Sequence, residues 1–115
     1  MIVFVIGGSG SGKSEFAESI CMKLPAEEKR YIATMQVFDE ESRARVEKHR
    51  KARRGKGFET IEQATHLEEV RLPEKCTALL ECMSNLVANE VFAPEGRGMS
   101  CGEILYNWRP RRKIW

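Results

Sequence analysis

Gly7-Gly8-Ser9-Gly10-Ser11-Gly12-Lys13-Ser14 follows directly on the apolar run Ile2-Val3-Phe4-Val5-Ile6, and how this junction is read decides the fold. The octapeptide satisfies G-x-x-x-x-G-K-[ST] between an expected strand and an expected helix. Glycine permits positive φ, so successive backbone N–H groups can turn inward into a nest for an anion. The helix that follows adds unpaired N–H groups and the positive end of its dipole. Lys13 is then expected to reach the β- and γ-phosphates of a nucleotide, and Ser14 to hold Mg²⁺ through its hydroxyl. A flexible glycine-serine turn is the bland alternative, but composition alone rarely produces this pattern with both flanks correct.

Outward from the loop, the chain alternates between the two kinds of element. The β-branched run at 2–6 predicts a strand buried on both faces, as in parallel sheets. Phe16, Ala17, Ile20, Cys21 and Leu24 form a stripe on one helix face, ended by Pro25. Tyr31-Ile32-Ala33-Thr34 predicts a second strand. Residues 39–54 are helical by propensity but almost wholly polar, which places that helix at the surface or against a ligand. Gly55-Lys56-Gly57 breaks it, and Phe58–Glu62 predicts a third strand. A short helix over 65–70, a buried strand over 77–81 ending on a carboxylate, and a helix through Met83, Leu86, Val87 and Val91 complete the series. Such alternation predicts an α/β fold of the phosphate-loop NTPase type, three layers around a mostly parallel sheet.

Bulk properties narrow the function classes. The chain has 115 residues, 42% apolar, with a net charge of +2, enough for one cored domain and too balanced to imply a nucleic-acid or membrane partner. Its length excludes a motor ATPase, and the absence of N-K-x-D argues against an ordinary small GTPase. The four cysteines, Cys21, Cys76, Cys82 and Cys101, have neither C-x-x-C pairing nor metal-ligand spacing with His49 or His66, which predicts reduced thiols. With an opening apolar run too short for a signal peptide and no bilayer-length segment, the expected location is the cytoplasm.

The cations are uneven. Arg43, Arg45, Lys48, Arg50, Lys51, Arg53, Arg54 and Lys56 crowd one helix, with His49 among them. A charge run is most often a solvated face, and a lone histidine on it a solvated side chain. The functional reading makes the imidazole a nucleophile on phosphorus, with the cations stabilising the developing negative charge. Single-strand nucleic-acid binding would favour interleaved aromatics, and this run has none.

Taken in order, Ile6-Gly7-Gly8, Ser11-Gly12-Lys13-Ser14, Tyr31-Ile32-Ala33-Thr34, Arg45-Val46, His49-Arg50, Phe58–Glu62 and Leu79-Leu80-Glu81-Cys82 resemble the bifunctional adenosylcobinamide kinase / adenosylcobinamide-phosphate guanylyltransferase family. The resemblance covers Met1 to about Phe92. It implies phosphorylation of adenosylcobinamide with ATP or GTP, then transfer of GMP from GTP through a guanylylated histidine. His49 corresponds to that histidine, and with Lys13 makes the expected catalytic pair. Gly7, Gly8, Ser9, Gly10, Ser11, Gly12, Lys13 and Ser14 correspond to the phosphate loop, and Thr34, Met35 and Gln36 to a nucleotide contact after the second strand. Ala52, Arg53, Arg54, Gly55, Glu62 and Glu81 match further nucleotide positions. Glu81 stands where many phosphate-loop enzymes place an acid near Mg²⁺, so Ser14 and Glu81 are the implied metal donors. A polar strand end for Glu62, a capping role for Glu81 and a surface position for His66 are the structural alternatives. Homo-oligomers are also implied, with no nucleic-acid or membrane partner. Another small-molecule phosphate-loop kinase, with His49 merely solvated, is the competing reading.

The family is longer, and its later half carries further strands and a V-T-N-E-V-G segment. Cys101–Tyr106 hints at its next helix, after which Asn107–Trp115 turns abruptly basic and aromatic. The expectation is therefore a partial nucleotide-binding domain over 1–98 with C-terminal strands missing, and a poorly ordered non-family tail over 99–115. A truncated or frameshifted coding sequence would produce that pattern and leave full activity in doubt.

Overall fold

The computed structural model describes residues 1–8, 10–36, 39–93, 98 and 103. In chain order they form α1 (Lys13–Lys23), β1 (Glu28–Ala33), α2 (Glu40–Gly55), β2 (Phe58–Glu62), a 3-10 turn (Leu67–Glu69), β3 (Cys76–Glu81) and α3 (Met83–Phe92). The three strands make one parallel sheet in the order β2-β1-β3. This is the α/β architecture that the alternating pattern predicts.

Period-two alternation sorts the strand residues between two faces. On one face Ile32 lies opposite Ile61 and Leu80. There it is buried with Leu67, Val70 and Leu86, and Leu72, Val87 and Val91 pack around them. The 3-10 turn and α3 therefore cover this face. On the other, Tyr31 lies opposite Thr60 and Leu79. Tyr31 and Phe58 bury Cys21 of α1, and Arg53 of α2 lies over the Tyr31 ring. Lys56 Nζ donates to Glu18 Oε2 at 2.6 Å, holding the end of α2 against α1. The sheet is thus the middle of three layers.

Local chemistry sets the helix ends. The Asp39 carboxylate accepts from Ser42 N at 2.6 Å and caps α2. Glu40 and Glu41 sit in the first turn of α2 and Arg53 and Arg54 in its last, the arrangement the helix dipole favours. Gly55 is the last helical residue rather than the break, which falls at Lys56-Gly57. The helix expected over 65–70 is reduced to the 3-10 turn, because His66 takes a left-handed conformation with φ 57°.

The largest departure is at the N-terminus. Residues 2–6 are not a strand and make no ladder with β3. Val3 and Val5 lie against β3 residues 76–79 and the α1 stripe Ala17, Ile20, Cys21 and Leu24, around a gap of about 170 Å³. Ile2, Phe4 and Ile6 remain 84%, 72% and 80% exposed. Val3 is itself 51% exposed, so of residues 2–6 only Val5 is partly buried. A strand buried on both faces needs apolar cover on both, and among the described residues nothing covers Ile2, Phe4 and Ile6. The tail expected over 99–115 lies outside the described residues except for Glu103.

Candidate active site

The candidate site lies at the C-terminal ends of the parallel strands, where open α/β sheets place their ligands. Register puts Glu62 of β2 and Glu81 of β3 on either side of Ala33, all on the Tyr31 face. Strand spacing sets the two acidic positions roughly 10 Å apart. A separate group of side chains gathers about each.

The phosphate loop approaches Glu81. Gly12 precedes α1 in the left-handed region at φ 83°, with no side-chain cap. The first-turn N–H groups of α1 have no partner within the helix and face outward from its N-terminus. At Gly7 a Cβ would lie 2.6 Å from Ser11 Oγ, so a side chain there would have to turn the serine hydroxyl aside. Ser11 N and Lys13 Nζ both donate to Gly8 O at 3.2 Å, folding the lysine back across the loop. Ser14 Oγ donates to Glu81 Oε1, joining the end of the motif to the end of β3. Ser9 lies outside the described residues.

The second carboxylate oxygen of Glu81 accepts from Tyr31 Oη. Burial pushes the Tyr31 phenol well above its ordinary pKa, and its hydrogen bond to Glu81 acts in the same direction. Thr34, expected to contact nucleotide, is fully buried. Its hydroxyl lies 3.1 Å from Glu81 O and 3.0 Å from Cys82 O, and accepts from Cys82 N at 2.8 Å. Asn89 Nδ2 donates to Thr34 O and Ala64 O, at 2.8 and 2.9 Å, stapling the segments after β1 and β2 to α3. Thr34 thus holds the end of β3 in place, while Met35 is exposed and Gln36 half-buried beyond it.

The second group surrounds Glu62. Arg50 forms ion pairs with Glu62 and with Glu47, the latter at 2.9 Å. Arg50, Arg54, Phe58, Glu59, Thr60 and Glu62 line a cleft of about 520 Å³ between α2 and β2. That volume is within the range of small-ligand sites. His49 is exposed on α2 next to Arg50, and its imidazole makes no hydrogen bond to another described residue. Ala52, Arg54 and Gly55 are exposed on the last turn of α2. Arg53 faces inward, 7% exposed, its guanidinium carbon 3.6 Å from the Tyr31 ring centroid.

The structure brings Ser14 to Glu81 and sets Arg50, His49's neighbour, against Glu62, with β1 between the two groups. Tyr31 is the participant that motif matching missed. A buried tyrosine must find a partner for its hydroxyl, and that was the available signal. His66 is half-buried rather than at the surface: its N–H donates to the fully buried Glu90 carboxylate, and its Nδ1 lies 2.7 Å from Thr65 Oγ1. Among the described residues no group of three or more His, Cys, Asp or Glu could hold a metal. None of the helices they form is long and apolar enough to cross a membrane.

A family model described as cobinamide kinase / cobinamide phosphate guanyltransferase matches residues 3–109. A relative from Escherichia coli (strain K12), named bifunctional adenosylcobalamin biosynthesis protein CobU, is 37% identical over 95 residues. That alignment covers 80% of this chain and 51% of the relative. A protein of the same name from Salmonella typhimurium (strain LT2) is 36% identical over 99 residues, covering 84% of this chain and 53% of its own. The chain therefore spans about half the length of the curated relatives it matches. No solved structure matches it.

Proposed function

Since the chain belongs to the cobinamide kinase / cobinamide phosphate guanyltransferase family, we propose that residues 1–98 form a nucleotide-binding unit with both activities, working in adenosylcobalamin biosynthesis. In the first step the aminopropanol hydroxyl of adenosylcobinamide attacks the γ-phosphorus of ATP or GTP. The bond to the β-phosphate oxygen breaks, the nucleoside diphosphate leaves and the hydroxyl proton passes to solvent. In the second, an imidazole nitrogen of His49 attacks the α-phosphorus of GTP and pyrophosphate leaves. The phosphate of adenosylcobinamide phosphate then attacks the guanylylated phosphorus, the N–P bond breaks, and adenosylcobinamide-GDP forms. The enzyme is cytoplasmic, assembles as a homo-oligomer, and takes nucleotide and corrinoid rather than nucleic acid or membrane as partners.

The observation carrying this reading is the meeting of Ser14 with Glu81 at the mouth of the phosphate loop. A hydroxyl and a carboxylate are hard oxygen donors, and Mg²⁺ commonly takes one or two such protein oxygens and fills its other positions with phosphate and water. The pair therefore fits Mg²⁺, which when bound supplies charge neutralisation on the β- and γ-phosphates. Lys13 binds the same phosphates by charge, and the first-turn amides of α1 orient them. Arg50 and Arg54 line the α2/β2 cleft, and His49, outside that lining, is carried on the same helix, whose cations would favour loss of pyrophosphate.

The exposure of His49 also suits a kinase in which that side chain is only solvated, and one experiment separates the two. Incubation with α-labelled GTP should give an acid-labile, base-stable protein adduct that disappears in His49→Ala. Absence of an adduct from a chain that still binds nucleotide would leave the kinase reading alone.

A further inference from the structure

Both oxygens of Glu81 are engaged by hydroxyl donors, one from Ser14 on α1 and one from Tyr31 on β1. Register explains how Tyr31 reaches. The residue directly opposite Glu81 is Ala33, whose methyl leaves space above the sheet. Tyr31, two residues back on the same face, is the diagonal neighbour, a separation that a long aromatic side chain can bridge.

Two contacts hold the Tyr31 ring. It is 4% exposed. Its edge meets Phe58, with centroids 6.5 Å apart and planes at 83°. Above it lies the guanidinium of Arg53, itself buried and with an Nε that has no hydrogen-bond partner among the described residues. An unpartnered buried donor costs free energy, so this arrangement is imposed by packing and not by local preference. Thr34 meanwhile holds the backbone on both sides of the Glu81–Cys82 bond. The orientation of the Glu81 carboxylate is thus set at its side chain from β1 and at its main chain from the residue that follows β1.

We propose that Tyr31 is a positioning residue: its hydroxyl fixes the Glu81 carboxylate so that the oxygen beside Ser14 is presented to a nucleotide-bound divalent cation. Donors behind a metal-ligating carboxylate typically govern about 10–100-fold in metal affinity. The proposal rests on the reading of Ser14 and Glu81 as metal donors. It adds a residue that motif matching does not nominate, and it makes the stacked Arg53 a link between the His49 helix and the phosphate loop.

Tyr31→Phe is the test, because it removes the hydroxyl and keeps the ring against Arg53 and Phe58. Mn²⁺ serves as the paramagnetic probe, titrated into the full chain with a non-hydrolysable GTP analogue, and nucleotide affinity is measured separately in chelator. The expected result is Mn²⁺ binding weakened by about tenfold or more, with metal-free nucleotide affinity unchanged. In a Glu81→Gln background the same substitution should have no further effect on Mn²⁺. Equal Mn²⁺ affinity in wild type and Tyr31→Phe overturns the positioning role and leaves the proposed function standing. A wild-type chain that binds nucleotide but no Mn²⁺ overturns the metal-donor reading, and this inference with it. If Tyr31→Phe fails to fold, replacing tyrosine with 3-fluorotyrosine changes the donor's acidity with little change in shape. A shift in Mn²⁺ affinity then supports the role, and none overturns it.

Discussion

The two faces of the sheet are built from the same three strands, one residue out of step, and they carry opposite chemistry. Toward α3, Ile32 and Leu86 are 1% and 0% exposed within an aliphatic cluster. Toward α1 and α2 the corresponding rows hold Tyr31, Thr60, Glu62 and Glu81, with Ser14, Arg50 and Arg53 reaching in from the helices. The first face hides apolar area from water, which needs no direction. The second face keeps a smaller apolar cluster of Cys21, Tyr31, Phe58 and Leu79 and adds hydrogen bonds and ion pairs, which weaken steeply when misaligned. A parallel sheet can support both because alternate side chains never share a face. The lesson is a division of labour, with the aliphatic cluster on the α3 side and the polar groups of the proposed site on the other.

That division can be broken experimentally, and the largest expected effect is on the apolar side. Leu86→Ala leaves a cavity in the aliphatic cluster of Ile32, Leu67 and Val70 and should cost about 2–5 kcal/mol of unfolding free energy, read from urea denaturation. A loss below about 1 kcal/mol would mean that the α3 face is not where stability resides. On the opposite face Lys13→Ala should leave the urea midpoint in place and weaken nucleotide binding by about 1.5–3 kcal/mol, the range for a bond to a charged group. Calorimetric titration that finds equal affinity in both proteins would remove the phosphate loop from the site.

Thr34 is where the two faces meet, so its substitution sharpens the contrast. Thr34→Val keeps the shape and deletes the hydroxyl that holds the Glu81–Cys82 backbone. A loss of about 1–1.5 kcal/mol in stability is expected, together with weaker metal-dependent nucleotide binding. A stability change without a binding change would make Thr34 part of the core alone.

The smallest effect is at the far end of α2. The hydrogen bond from Ser42 N holds the Asp39 carboxyl below its usual range. A group lowered in the folded chain contributes stability that is present above its unfolded pKa of about 3.9 and lost as pH falls through the folded value. Asp39→Asn keeps the cap and removes the titration. Amide exchange of α2 should accelerate below about pH 4 in the wild type and not in the variant, and identical profiles would show that the cap does not titrate.

Much of the architecture is legible residue by residue. β2 and β3 announce themselves as short runs bounded by Gly57 and Pro73, α2 by Asp39 and its acidic first turn, and α1 by its apolar stripe and Pro25. Local preference and capping decide those elements, and both are written in consecutive residues. The run at 2–6 is equally clear as β-branched chain, yet whether it joins a sheet depends on what covers its outer side, which no local pattern contains. His66 was readable only as polar, because its engagement with Glu90 spans 24 positions.

By itself the sequence determined the alternation of elements from α1 onward, the glycine-rich stretch at 7–14 and a strand that ends on Glu81. Only the tertiary structure decided that Tyr31 shares Glu81 with Ser14, that Thr34 turns inward to hold the β3 end, that Arg53 stacks while Arg54 faces the cleft, and that Arg50 pairs with Glu62. The reason is geometric. Strand and helix periods follow from neighbouring residues, whereas the Tyr31–Glu81 contact joins positions 50 apart and depends on the register of two strands and the small size of Ala33 between them.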